Sequence, residues 1–117
     1  MKKTYSILLS AALATAAFSA VAGGNIESGK ALAAKYSCAS CHGADYNTPV
    51  DPSYPKLAGQ HADYLQNALI AYKRGNDSAY GRGNAIMGGM AKPLSTRDIS
   101  DISAYLASLQ GGLVKVK

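Results

Sequence analysis

Apolar side chains recur at helical spacing in three stretches of the chain, and no useful length of it alternates as a strand would. The clearest stretch is the last, whose apolar positions are Ile99, Ile102, Leu106 and Leu109. Ser95 precedes it, with Asp98 three residues later, and Gly111-Gly112 follows it. A serine and an acidic residue at this spacing cap helix starts, and glycines end helices, so we predict a helix between these signals.

Two earlier stretches predict two further helices. Asn25 can cap a helix over 26–36, which has a sparse face of small and apolar residues. A second helix is predicted over 62–74, ending at a glycine; its apolar face consists of Tyr64, Leu65, Ala68, Leu69 and Tyr72. The segments 47–59, rich in proline, and 75–93, rich in glycine, are predicted to be irregular. The fold class is therefore all-α, with three or more helices.

The beginning of the chain has the pattern of a secretory signal. Two lysines are followed by an apolar run over 7–18 and then by Ala20-Val21-Ala22, a small-x-small cleavage site. We expect residues 1–22 to be removed and residues 23–117 to form one exported domain in the periplasm; the alternative is an uncleaved membrane anchor. No later segment approaches the twenty apolar residues that a spanning helix needs.

The net charge of the chain adds little to these predictions. Removing the two lysines of the signal leaves 12 − 2 = 10 basic residues against 7 acidic ones, a formal charge of +3. The chain has neither a basic run nor a zinc pattern, which argues against nucleic-acid binding. A set of basic residues gathered on one face could steer docking to an acidic partner, although ordinary solvated side chains explain them equally well; the set is Lys56, Lys73, Arg74, Arg82 and Lys92.

The candidate chemistry lies in Cys38-Ala39-Ser40-Cys41-His42. Cys-x-x-Cys-His is the spacing at which a chain attaches haem covalently, because two thiols one turn apart can each add to a vinyl group while the adjacent histidine ligates the iron. A disulfide between Cys38 and Cys41 would close a strained loop. A zinc site would need four ligands, and a redox dithiol would follow a strand; these alternatives fit less well.

A second ligand candidate lies in the glycine-rich segment. Met87 and Met90 occur in Ile86-Met87-Gly88-Gly89-Met90, where glycine lets backbone approach a flat ligand closely. A thioether can occupy the iron face opposite His42, although methionine is also a common filler of small cores. We expect one of these methionines to ligate the iron.

These motifs resemble the class I cytochromes c, most of all a single domain of the bacterial cytochrome c4 and c5 group. The resemblance rests on CASCHG at 38–43, YPKLAGQ at 54–60, IMGGM at 86–90 and LSTRDISDISAYL at 94–106. It implies a small all-α fold of three or more helices around one covalent haem. Cytochrome c4 has two such domains and one is present here, so we expect a single haem.

The resemblance also implies roles for particular residues. Cys38 and Cys41 match the thioether cysteines and His42 the proximal ligand. The carbonyl of Pro55 matches the acceptor of the proximal imidazole N–H, and Leu57 matches a residue lining the haem.

Further positions follow from the same comparison. Met87 matches the distal ligand by its distance from the last helix and is preferred to Met90. Gly29 and Tyr105 match the pair at which the terminal helices cross. His61 matches an exposed helix start rather than an iron ligand. Apart from the resemblance, the polar side chains of Tyr46, Tyr54 and Arg82 make these residues candidates for contact with the haem propionates.

The predicted function follows from ligation of iron on both faces, which leaves no position for a substrate. We expect a periplasmic single-electron carrier between respiratory donor and acceptor proteins, not an enzyme, as a monomer or weak dimer. One alternative is a dedicated cytochrome subunit of a dehydrogenase or oxidase. Another is a haem enzyme or gas sensor with an open distal site.

Overall fold

The computed structural model describes residues 23–113, which fold into five helices and contain no strand. In chain order the helices are α1 (Ile26–Lys35), α2 (Ala39–His42), α3 (Ala62–Arg74), α4 (Ala85–Ala91) and α5 (Thr96–Ser108). The predicted all-α class is confirmed. No helix in this part of the chain is long and apolar enough to cross a membrane. The predicted signal peptide lies outside the described residues.

Side-chain caps define the starts of the two terminal helices. The Asn25 side chain accepts a hydrogen bond from the Ser28 N–H at 2.9 Å. At α5 the Ser95 hydroxyl accepts from the Asp98 N–H at 3.0 Å, while the Asp98 carboxylate accepts from the Ser95 N–H at 2.9 Å. These hydrogen bonds lower the pKa of Asp98, so its charge stabilises the capped start.

Helices α1 and α5 cross in close contact, and this crossing is the main helix pair of the fold. A side chain at Gly29 would collide with the main-chain carbonyl of Asp101 and with Tyr105, so only glycine allows this approach. The carboxylate of Asp101, which is 4% exposed, accepts a 2.7 Å hydrogen bond from the Asn25 N–H and a 3.2 Å bond from Arg97 Nε. One buried carboxylate thus links α5 to the start of α1.

The core fills the space between α1, α3 and α5. Its members are buried apolar side chains from these helices and from the intervening loops, namely Ala33, Tyr46, Ala58, Leu65, Leu94, Ile99, Ile102 and Leu106. Ser103 is fully buried beside them, and its hydroxyl has no hydrogen-bond partner among the described residues. Helix α5 and the last described residues close over the proline-rich loop, because Leu106 O accepts from the Gly59 N–H and Asn47 Oδ1 accepts from the Gly112 N–H, both at 3.0 Å.

The prediction that 75–93 is irregular is wrong for 85–91, which form α4. Asn84 caps this helix by accepting a 2.9 Å hydrogen bond from the Met87 N–H. Two internal glycines, Gly88 and Gly89, each lower helix propensity by about 1 kcal/mol, which is why the pattern favoured a loop. Packing of α4 against α3 provides the stabilisation that propensity does not.

Candidate haem-binding site

The Cys-x-x-Cys-His motif forms the short helix α2 directly after α1. Ser37 has a positive φ of 53°, which ends α1 and turns the chain into Cys38. The Cys38 N–H still donates to Ala33 O at 3.1 Å, while Cys38 O accepts from the N–H groups of Cys41 and His42. Because residues three apart share one face of a helix, the two thiols are presented on the same side.

Both cysteines are unpaired thiols in the structure and are partly buried. Burial raises the pKa of the Cys38 thiol above its ordinary value, a main-chain hydrogen bond opposes this shift, and the neighbouring Cys41 adds to it. Among residues 23–113, no three His, Cys, Asp or Glu side chains are grouped so as to hold a metal ion. The zinc alternative therefore has no ligand set in this part of the chain.

His42 is buried, with 6% of its surface exposed, and its ring is fixed by the loop that follows. Nδ1 lies 2.9 Å from the main-chain oxygen of Pro55. A carbonyl can only accept, so Nδ1 carries a proton, and Nε2 is the ring nitrogen that remains for binding iron. A second-shell acceptor of this kind orients a metal-ligating imidazole and increases its basicity. The tautomer and orientation thus suit a proximal ligand that binds iron through Nε2.

The segment between His42 and Pro55 is braced by local hydrogen bonds. The Asp45 carboxylate accepts from the N–H groups of Asn47 and Thr48 and from the Thr48 hydroxyl, at 2.8 to 2.9 Å. The carbonyl of Tyr46 accepts from the N–H groups of Leu57 and Ala58. These bonds hold the Pro55 carbonyl in place opposite the histidine.

The tyrosines of this segment differ in their surroundings. Tyr46 is 5% exposed and meets Tyr105 edge to face at 5.9 Å between ring centres, and burial raises its pKa. It therefore lies in the core. Tyr54 is half-buried with its ring centre 6.5 Å from that of His42. Leu57 packs half-buried against the core.

The two candidate methionines lie on α4. Met87 and Met90 are both half-buried, and their spacing of three places them on the same side of the helix. The preference for Met87 as the ligand consequently stays a prediction. His61 is exposed at the N-cap position of α3, which is the environment expected for a surface histidine.

The basic residues expected to share one face separate into groups. Lys73, Arg74 and Lys92 line one groove between α3 and α4, together with Asp77. Arg82 does not line that groove and instead lies near the rings of Tyr64 and Tyr72 on α3. Sequence periodicity could not reveal this, because the arrangement depends on how 75–84 folds back.

The residues present fit a covalent haem. Two unpaired thiols share one face of α2, a buried imidazole has its Nε2 available, and half-buried thioethers lie on a separate helix. Sulfur and imidazole groups in this combination are the attachment and axial ligands of c-type haems. Cys38 and Leu57 also pack on the apolar core, which suits a large apolar ring.

Comparisons with known proteins show that this chain is similar to cytochromes c. Residues 26–110 match the family model for cytochrome c. Cytochrome c4 from Stutzerimonas stutzeri is 41% identical over 96 residues, covering 79% of this chain and 44% of that protein. Cytochrome c-554(548) from Halomonas halodenitrificans is 44% identical over 71 residues, covering 61% of this chain and 82% of that protein.

A solved structure is similar as well. The crystal structure of reduced cytochrome c4 from Pseudomonas stutzeri superposes with a TM-score of 0.68 at 39% identity, over 77% of this chain and 48% of that one. The chain thus spans about half the length of the cytochrome c4 proteins that it matches. From the family match and this donor set we conclude that the chain belongs to the cytochrome c family and that its cofactor is a covalently bound haem c.

Proposed function

We propose that this protein is a single-electron carrier whose haem iron is ligated by His42 and Met87. The observation that carries the proposal is the 2.9 Å contact between His42 Nδ1 and the Pro55 carbonyl, which leaves Nε2 available for iron. Bound haem c supplies an iron centre that gains and loses one electron. With a side chain of this protein on each face, no position remains for a substrate, which favours electron transfer over catalysis.

The test of ligation is an absorption spectrum of protein matured with haem in an exporting host. Wild type should show the ferric sulfur-to-iron charge-transfer band, Met87→Ala should lose it, and the matched variant Met90→Ala should keep it. Loss of the band in Met90→Ala alone would transfer the role to Met90. A wild type without the band, whose ferrous form takes up carbon monoxide readily, would replace the carrier by an enzyme or gas sensor.

We place this carrier in the periplasm, because the predicted signal over 1–22 directs export. The mature chain should begin at Gly23. Cell fractionation followed by N-terminal sequencing tests both statements: recovery in the cytoplasmic fraction would contradict the location, and a chain that still begins at Met1 would contradict the cleavage.

Docking of redox partners is proposed to be electrostatic and brief, between a monomer or weak dimer of this chain and an acidic partner. Its support is the groove between α3 and α4, where Lys73, Arg74 and Lys92 outnumber Asp77. Small interfaces of this kind are steered by charge. Arg74→Gln and Lys92→Gln should weaken the salt dependence of electron-transfer rates with an acidic partner. Lys30→Gln, an exposed charge on α1, should not.

A second candidate function is that of a dedicated subunit of a dehydrogenase or oxidase. Exposed aliphatic side chains favour it: Val50 is 68% exposed and donates its N–H to Cys41 O, and Ile86 is 57% exposed beside Met87. A stable partner would cover such residues. Native mass spectrometry of the protein purified from its own periplasm separates the two, because a subunit arrives with its enzyme and a carrier arrives alone.

A further inference from the structure

Arg82 joins the glycine-rich segment before α4 to the outer side of α3. Its guanidinium carbon lies 5.7 Å from the ring centre of Tyr64 and 5.7 Å from that of Tyr72. Its N–H also donates to the Ala71 carbonyl at 2.9 Å. A cation within about 6 Å of an aromatic ring centre is attracted to the ring, and here two such contacts accompany a main-chain hydrogen bond to the same helix.

The segment 75–84 is compact, so that the contact of Arg82 with α3 restrains the whole segment. The Gly81 N–H donates to Ser78 O at 2.9 Å, and a side chain at Gly81 would collide with the Gly75 carbonyl. Residues 81 and 75 are thus packed backbone to backbone. Movement of Arg82 away from α3 would consequently disturb the whole segment rather than one side chain.

The other end of this segment holds Met87. Only Gly83 separates Arg82 from Asn84, whose side chain accepts from the N–H of Met87 at 2.9 Å. On the next turn, Gly88 approaches the main-chain oxygen of Tyr72, one of the two residues that hold Arg82. The same part of α3 therefore contacts both the anchor and the helix that carries the methionine.

We propose that Arg82 is a positioning residue for Met87: by fixing 75–84 to α3 it makes Met87 harder to displace from the haem iron by an added ligand. This inference rests on the proposed His42 and Met87 ligation. An incoming ligand binds only when Met87 has left, so its apparent affinity follows the fraction of molecules in which the segment is released. Removing the anchor raises that fraction.

The experiment is an imidazole titration of the ferric holoprotein, followed by loss of the sulfur-to-iron band. Two cation–π contacts at an exposed site predict that Arg82→Gln lowers the apparent Kd for imidazole about five- to twenty-five-fold. Lys30→Gln is the control, because it removes one unit of positive charge at an exposed position of α1 outside the groove between α3 and α4, and it should change Kd less than about twofold. Arg82→Lys, which keeps a cation over the rings, should fall between wild type and Arg82→Gln.

Variants of the ring partner test the contact itself. Tyr72→Leu should reproduce part of the effect of Arg82→Gln, and Tyr72→Phe, which keeps the ring but removes the hydroxyl, should show a smaller effect than Tyr72→Leu. An unchanged imidazole Kd in Arg82→Gln would overturn the proposal even if the variant unfolds more easily, since Arg82 would then be structural only. Equal shifts of the imidazole Kd in Arg82→Gln and Lys30→Gln would also overturn the proposal, because the effect would then be one of charge in general. Failure of the proposed ligation is distinguishable, because wild type itself would then lack the band.

Discussion

Asp101 is predicted to stabilise the fold through main-chain contact with α1 rather than through its ion pair. The perturbation is Asp101→Ala, compared with Asp101→Asn and Arg97→Ala. The carboxylate is 4% exposed and accepts a 2.7 Å hydrogen bond from the Asn25 N–H, 76 residues away. Its other partner, Arg97, is 78% exposed and lies one turn away on the same helix at 3.2 Å.

These geometries assign different magnitudes to the two contacts. A hydrogen bond to a charged acceptor contributes about 1.5 to 3 kcal/mol, whereas an exposed ion pair one helical turn apart contributes about 0.3 to 0.5 kcal/mol. We therefore expect Asp101→Ala to lower the free energy of unfolding by about 2 to 3 kcal/mol and Arg97→Ala by about 0.5 kcal/mol or less. Asp101→Asn keeps an acceptor without the charge and should cost about 1 kcal/mol.

The assay is urea unfolding of the ferric holoprotein, followed by far-ultraviolet circular dichroism at neutral pH. For a small protein the predicted loss in Asp101→Ala corresponds to a fall of about 1 to 2 M in the urea midpoint. Equal losses in Arg97→Ala and Asp101→Ala would refute the reasoning, because the ion pair would then supply the stabilisation.

Three further predictions concern stability and use the same urea assay. Gly29→Ala should destabilise by about 1 to 3 kcal/mol despite the better helix propensity of alanine, because α1 and α5 must separate, and a more stable variant would contradict the crossing. Ser103→Ala should stabilise by about 1 kcal/mol, since it removes a buried hydroxyl that has no partner among the described residues; a loss of stability would mean that the hydroxyl is bonded in the holoprotein. Because the pKa of Asp98 is lowered in the folded protein, its carboxylate stabilises the fold above its ordinary pKa of 3.8, and this stabilisation is lost as the pH falls through the lower pKa of the folded state. The free energy of unfolding of wild type should accordingly approach that of Asp98→Ala on acidification. A gap between these two free energies that stays constant with pH would exclude the carboxylate as the source of the stabilisation.

Sequence reasoning succeeded where a local signal decides the structure. Ser95 and Asp98 specify the start of α5 through their own hydrogen bonds, and the apolar spacing after them predicts its buried face. Sequence reasoning failed at α4, because two glycines lower its helix propensity and the helix is stabilised by packing against α3. Asn84, three residues before Met87, was a signal that could have revealed this start.

In the candidate site too, local features could be predicted from the sequence and long-range contacts could not. The cysteines and His42 are identifiable from spacing alone, because the chemistry of attachment needs contiguous residues. The contact of Arg82 with two rings and the bond from Asn25 to Asp101 join distant parts of the chain. No periodicity encodes such pairs, so only the folded chain reveals them.

The contact of the proline-rich loop with α5 and with the last described residues has a practical consequence for handling the protein. Leu106 in α5 binds Gly59 and Gly112 binds Asn47, so one end of the loop that carries Pro55 depends on the final residues of the described chain. Truncation before Gly112 would release one end of that loop. An affinity tag or an electrode linker is therefore best attached beyond Leu113, behind a flexible spacer, so that immobilisation leaves the proximal side undisturbed.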